Sequence, residues 1–190
     1  MTDLPATANG SSTLPQGVSL RWLSGARDDI GAMTELYRRD WKLDSVPVQW
    51  NLVWSRANTL RGVHVHLTHW DYLCIISGEM LLALHDMRPG SPTYRFAALQ
   101  PLPSEPACSI AIPPGVAHGF YFGSQTTYFY AVSHYWNPQD EFGCSWNDPE
   151  LGLSWPTTDP LLSPRDANAP TYGELARELA DAVGGGARRP

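Results

Sequence analysis

Six histidines are spread over 190 residues, and three of them crowd into the stretch Arg61-Gly62-Val63-His64-Val65-His66-Leu67-Thr68-His69. Imidazole is the side chain best suited to accept and return a proton near neutral pH, and its ring nitrogens also ligate transition metals. Side chains alternate along a strand, so His64 and His66 share one face. If that face lines an interior, two imidazoles project into one pocket. His69 falls in a predicted loop and is read as solvated. A fourth histidine sits in Ile112-Pro113-Pro114-Gly115-Val116-Ala117-His118-Gly119-Phe120. The Pro-Pro-Gly turn fixes the chain ahead of His118, and Gly119 permits close backbone approach. Alone, His118 reads as a hydrogen-bonded structural residue; beside the first cluster it joins a candidate site.

The elements that must position these residues are short. Residues 18–23 read as a first strand, and a short helix is predicted around 33–39. From residue 49 onward the chain repeats brief β-like runs bounded by Pro, Gly or Ser. Residues 49–56 alternate, with Leu52 and Trp54 facing away from Asn51 and Val53. The runs 72–76 and 81–84 are predicted to form a hairpin across Ser77-Gly78. Further strands are expected at 94–99, 109–112, 120–122 and 127–133. Such a series, with no helical pattern between the runs, predicts a mainly β sandwich or barrel with a few short helices. Residues 137–170 are irregular and Pro-rich, a length that usually serves function or wraps a neighbouring surface. Residues 172–183 carry Leu175, Ala176, Leu179, Ala180 and Val183 on one helical face, predicting a closing amphipathic helix. Residues 1–17 read as a loose arm and the GGGARRP end as a disordered tail, leaving one domain at 18–172.

Composition narrows the function. Hydrophobic residues reach 43% and charged residues only 17%, a globular balance. The net charge is -6 and Lys42 is the sole lysine, so there is no dense basic face for nucleic-acid phosphates. A small anionic ligand needs only one or two placed arginines. Cys74, Cys108 and Cys144 form no CxxC pair and read as buried free thiols of a reducing compartment. The start MTDLPATANGSS lacks a basic region followed by an apolar stretch, and no run is long enough to span a bilayer. A cytoplasmic, membrane-free protein is expected.

His64, His66 and Asp71, followed by Pro113, Gly115 and His118, resemble the HxH-plus-acid and PxGxxH motifs of the cupin superfamily. That resemblance implies a cupin jelly-roll barrel, the double-stranded β-helix. From about residue 20 to 172 the chain also resembles the dTDP-4-dehydrorhamnose 3,5-epimerase family. The matching pieces include Gln49-Trp50-Asn51, Arg61-Gly62-Val63-His64, Asp86-Met87-Arg88 and Ser91-Pro92-Thr93. They continue with Trp146-Asn147-Asp148-Pro149 and Leu162-Ser163-Pro164-Arg165-Asp166-Ala167. The resemblance implies an isomerase acting on a nucleotide-linked 4-keto-6-deoxy sugar in deoxysugar biosynthesis. His64 then corresponds to the base, Asp166 to its partner acid and Tyr130 to the proton donor of the opposite face. Arg61 corresponds to a phosphate contact; Gln49, Asn51, Glu35, His66 and His118 complete the substrate-facing set. No cofactor and a homodimer are implied.

Two departures stand out. Where the family carries a lysine after the catalytic histidine, this chain has Asp71, and the family's glutamine two residues after that histidine is His66. Ile30 stands in place of a nucleotide-contacting arginine, with Met33 in place of a nearby aromatic. The first change recreates a possible set of His64, His66, Asp71 and His118 for a divalent transition metal. A metal-dependent cupin (an oxygenase or isomerase), a 3,4-ketoisomerase-like enzyme and a non-catalytic sugar-binding relative are therefore the alternatives.

Overall fold

Apolar runs punctuated by Gly, Pro and Ser become strands across residues 14–41 and 43–186, which are the residues described by this computed structural model. In chain order they are β1 (Ser19–Trp22), β2 (Gly25–Asp28), β3 (Gly31–Thr34), β4 (Gln49–Ser55), β5 (Thr59–Val65) and β6 (Asp71–Ser77). There follow β7 (Glu79–Asp86), β8 (Ala97–Pro103), β9 (Cys108–Ile112), β10 (Val116–Phe122), β11 (Thr126–Val132) and β12 (Phe142–Gly143). Two helices close the chain, α1 (Pro164–Ala167) and α2 (Tyr172–Gly186). The strands form two five-stranded sheets, β1-β9-β6-β11-β4 and β12-β5-β10-β7-β8, with β2-β3 as a separate pair.

The core lies between the sheets. Leu73, Ile75, Ile110, Ile112 and Tyr128 of the first sheet meet Met80, Leu82, Leu84, Leu102 and Phe122 of the second, all buried. Burying each such side chain contributes about 1.5–3 kcal/mol. The outer faces are covered too. Tyr172, Leu175 and Leu179 of α2 pack on Val63, Val65 and Ala117 of the second sheet. Leu36, Tyr37 and Leu43 cover Tyr72, Cys74 and Phe129 of the first. The three cysteines are free and buried, and burial pushes their thiols up to about 12, 11 and 12 for Cys74, Cys108 and Cys144. They behave as small apolar side chains.

Several expectations need correction. The expected hairpin across Ser77-Gly78 does not form: β6 belongs to the first sheet and β7 to the second. Gly78, at φ +84°, turns the chain from one layer to the other, and a Cβ there would lie 2.7 Å from the Gln125 carbonyl oxygen. The helix expected around 33–39 is replaced by the β2–β3 hairpin and a 3-10 turn at Arg39–Trp41. The Asp28 carboxylate holds that hairpin's turn by accepting the N–H groups of Ile30 and Gly31, both at 3.0 Å. Such local capture of the backbone by a short acid competes with helix. The strand expected at 94–99 begins only at Ala97, because Tyr94 and Arg95 belong to a turn. Of the arm, residues 14–17 are docked, with the Gln16 N–H donating to Thr93 Oγ1 at 2.8 Å; residues 1–13 and 187–190 lie outside the described residues.

Candidate functional site

Strict alternation along β5 would send Arg61 and His64 to opposite faces. The pairing with β10 prevents this. His118 opposes His64 and Phe120 opposes Arg61, so two steps on β10 span three on β5. The extra residue is a β-bulge, which re-aims side chains locally. Gly62 lies within it at φ +107°, and a Cβ there would come within 2.9 Å of both Gly119 Cα and the His118 carbonyl oxygen. The glycine is thus required by the neighbouring strand. As a result Arg61 and His64 both line one interior cavity of about 320 Å³, together with Tyr130.

At this cavity His64 Nε2 lies 2.7 Å from Asp166 Oδ1. The aspartate is buried and is itself held on α1. Ser163 Oγ accepts the Asp166 N–H at 3.1 Å and donates its own proton to Asp166 Oδ2 at 2.8 Å, a reciprocal cap. Burial alone would raise the Asp166 carboxyl. Hydrogen bonds from His64, Ser163 and the Gly62 N–H outweigh it and hold the group below the usual carboxylate range. An ionised, fixed carboxylate sets the orientation of an imidazole and stabilises its protonated form. The geometry therefore suits proton abstraction by His64.

Three further histidines of the same cavity surround an acid. His66, His69, Asp71 and His118 are all buried. Burial raises the Asp71 carboxyl to about 7, with Glu141 and Asp140 pushing the same way against His66. Burial lowers His69 to about 4 and His118 well below its ordinary value, so both are neutral at pH 7. The expected solvated His69 is corrected: it stacks on His66 at 4.0 Å between ring centroids. The alternative metal set of His64, His66, Asp71 and His118 is only partly assembled. His66, Asp71 and His118 come together, whereas the His64 nitrogen is committed to Asp166.

The other candidates separate clearly. Gln49 lines the cavity, its side chain bonded to Asn51 at 3.2 Å and accepting from the Trp136 N–H at 3.0 Å. Asn51 keeps a buried Nδ2 with no partner among the described residues. Arg61 donates to Ser55 Oγ at 3.2 Å and makes no ion pair among the described residues. Burial raises the Tyr130 hydroxyl, helped by Asp71 and Glu141. Glu35 does not line the cavity; it pairs with Arg38 at the surface at 3.4 Å. Ile30 and Met33 are exposed on the β2–β3 hairpin.

Residue-by-residue reading missed the contribution of the irregular segment. Asp140 accepts the N–H groups of Leu67 at 2.7 Å and Thr68 at 3.1 Å, which fixes the histidine loop. Arg165 pairs with Glu141 at 2.7 Å, and both line the cavity. The only signal for them was the unusual length of chain without regular structure.

A jelly-roll barrel with a fixed His–Asp pair, a tyrosine and an arginine that makes no ion pair among the described residues, all around one cavity, is a cupin-type barrel equipped for acid–base chemistry. Residues 14–174 match the family model described as dTDP-4-dehydrorhamnose 3,5-epimerase. The dTDP-4-dehydrorhamnose 3,5-epimerase of Streptomyces griseus is 34% identical over 176 residues, covering 86% of this chain and 88% of that protein. The one of Neisseria gonorrhoeae is 34% identical over 79% of this chain, which spans 48% of that protein's length. Among solved structures, NovW, a 4-keto-6-deoxy sugar epimerase from Streptomyces spheroides, superposes with a TM-score of 0.80 at 30% identity, covering 87% of each chain. ChmJ, a 3'-monoepimerase from Streptomyces bikiniensis solved with dTDP-quinovose, gives 0.79 at 27% identity over 87% of this chain and 88% of that one. The chain belongs to the dTDP-4-dehydrorhamnose 3,5-epimerase family, whose members are isomerases.

Proposed function

We propose that this protein epimerises a nucleotide-linked 4-keto-6-deoxy sugar beside its ketone, at carbon 3, carbon 5 or both. His64 removes the C–H proton, which the adjacent ketone acidifies by delocalising the charge as an enolate. Asp166 orients the ring and stabilises the imidazolium. Tyr130 returns a proton from the opposite face, and Arg61 offers its planar fork to the diphosphate. Both proton transfers are assigned to side chains, with no cofactor in either. The observation that carries this reading is the 2.7 Å His64–Asp166 contact inside the cavity that Arg61 and Tyr130 also line.

The test is solvent isotope exchange with a 4-keto-6-deoxy sugar nucleotide. In deuterium oxide the native protein is expected to incorporate deuterium at carbon 3 or 5, and His64→Ala to abolish it. Absence of exchange with dTDP-linked and other nucleotide-linked keto sugars would overturn the assignment.

The protein is further proposed to act as a homodimer in the cytoplasm. β4 is the edge strand of its sheet and turns Trp50, Leu52 and Trp54 outward, 46%, 74% and 51% exposed. An apolar stripe of this kind on an edge marks an interaction surface. The buried free cysteines fit a reducing compartment, and no helix among the described residues is long and apolar enough to cross a membrane.

A further inference from the structure

We propose that the Arg165–Glu141 ion pair is a clamp that sets Asp166 against His64, which makes Arg165 and Glu141 positioning residues for the proton transfer. The two members of the acid–base pair come from segments that meet only through the fold. His64 lies on β5, whereas Asp166 lies on α1, a helix of four residues. A helix so short has no stability of its own and takes its place from whatever ties it down. Ser163 orients the Asp166 carboxylate from inside the same turn, so it does not place that turn relative to β5.

The clamp supplies that placement. Glu141 is fixed to the His64 side of the cavity on both flanks. The next two residues form β12, which pairs with β5 so that Phe142 opposes Val65 and Gly143 opposes His64. The residue before it is Asp140, whose carboxylate holds the Leu67 and Thr68 N–H groups. Arg165 belongs to the other side, one residue ahead of Asp166. Its Nη1 donates to Glu141 Oε2 at 2.7 Å and its Nη2 to the Glu141 carbonyl oxygen at 3.1 Å. A planar fork bonded to two acceptors fixes direction as well as distance. Apart from the bonds that Asp166 itself makes, no other hydrogen bond among the described residues joins α1 to this side of the cavity.

The value of the pair is geometric. Its arginine side chain is 47% exposed and its glutamate 14%, and such a half-solvated pair adds little to global stability. Catalysis is far more sensitive to placement, because a shift of about 1 Å in a reacting group can cost ~10²-fold in rate. The ionised Asp166 accepts from His64, so the ring proton sits on Nε2 and Nδ1 keeps the lone pair that takes up the substrate proton. Displacing Asp166 therefore loosens both the tautomer and the aim of the base. Arg165 also lines the cavity, but both of its terminal nitrogens are engaged by Glu141, whereas Arg61 makes no ion pair among the described residues. The effect on turnover rests on the epimerase reading; the alignment of His64 with Asp166 does not.

The test compares Arg165→Met, Arg165→Lys, Glu141→Ala and the double variant of Arg165→Met with Glu141→Ala, each checked for Tm. With dTDP-4-dehydro-6-deoxyglucose as substrate, Arg165→Met is expected to lower kcat about 10–100-fold, with KM and Tm little changed. Arg165→Lys is expected to recover part of that loss, and it carries the same comparison should Arg165→Met lower Tm. The double variant is expected to fall well short of the product of the two single losses, because both changes break one contact. In proton NMR at low temperature the native His64 Nε2–H is expected as a downfield, exchange-protected signal, which Arg165→Met broadens or moves upfield. A raised KM with unchanged kcat overturns the proposal, since Arg165 then binds the substrate directly. So do fully multiplicative losses in the double variant, or a fallen Tm with an unaltered His64 signal. That signal needs no turnover, so the two readings separate. A protein without deuterium exchange loses the epimerase reading, whereas an unaltered signal in Arg165→Met removes the clamp whether or not exchange occurs.

Discussion

At the scale of single residues, the two faces of the sugar are assigned to different groups, and that division has kinetic consequences. His64 can abstract a proton and return it to the same face without Tyr130. Tyr130→Phe is therefore expected to keep solvent deuterium incorporation while epimer formation falls sharply, read by mass spectrometry and chromatography of the same reaction. Equal loss of both would remove Tyr130 from the role of opposite-face acid. Asp166→Asn keeps the shape of the pair but not its charge. Loss of the corresponding carboxylate in a His–Asp pair lowers turnover by on the order of 10⁴-fold. A drop in kcat of roughly 10³–10⁴-fold with little change in KM is expected here, from steady-state assays.

At the scale of elements, much of what reads as family signature builds the scaffold. Asp86, at the end of β7, is fully buried and accepts from the Arg88 side chain at 2.8 Å through both Nε and Nη2, from Ser91 at 2.6 Å and from Thr93 at 2.6 Å. Asp148 of the Trp-Asn-Asp-Pro piece caps its 3-10 turn and accepts the Tyr172 N–H at 2.8 Å, anchoring α2. Neither touches the cavity. Burial would raise the Asp86 carboxyl, but its hydrogen bonds prevail and hold it well below the ordinary range. A depressed folded pKa gives stability that is present above the unfolded value, about 4, and is lost as pH falls below it. Asp86→Asn is thus expected to cost about 3 kcal/mol at pH 7, the scale of breaking a buried ion pair. Urea denaturation should show that difference shrinking below pH ~4. A pH-independent difference would indicate that the loss is one of packing.

At the scale of the whole molecule, the edge strand β4 leaves Trp50, Leu52 and Trp54 outside while Gln49 and Val53 line the cavity. Site and proposed interface are two faces of one strand. Leu52→Glu is expected to convert a dimer to monomers in light scattering after gel filtration; a native protein that is already monomeric would sink the dimer. The alternation of 49–56, the strand-rich barrel, the closing helix and the two histidine motifs were all legible in the chain, because each is a local pattern of period or turn chemistry. The His64–Asp166 pair was legible only through family resemblance, since 102 residues separate its members. Tertiary structure decided the rest. It moved β6 and β7 into different sheets at Gly78, and a bulge at Gly62 brought Arg61 to the same side as His64. Packing of Asp140 against the histidine loop turned a solvated-looking His69 into part of a buried cluster. Pairing register and long-range burial depend on partners far away in sequence, and no local pattern encodes them.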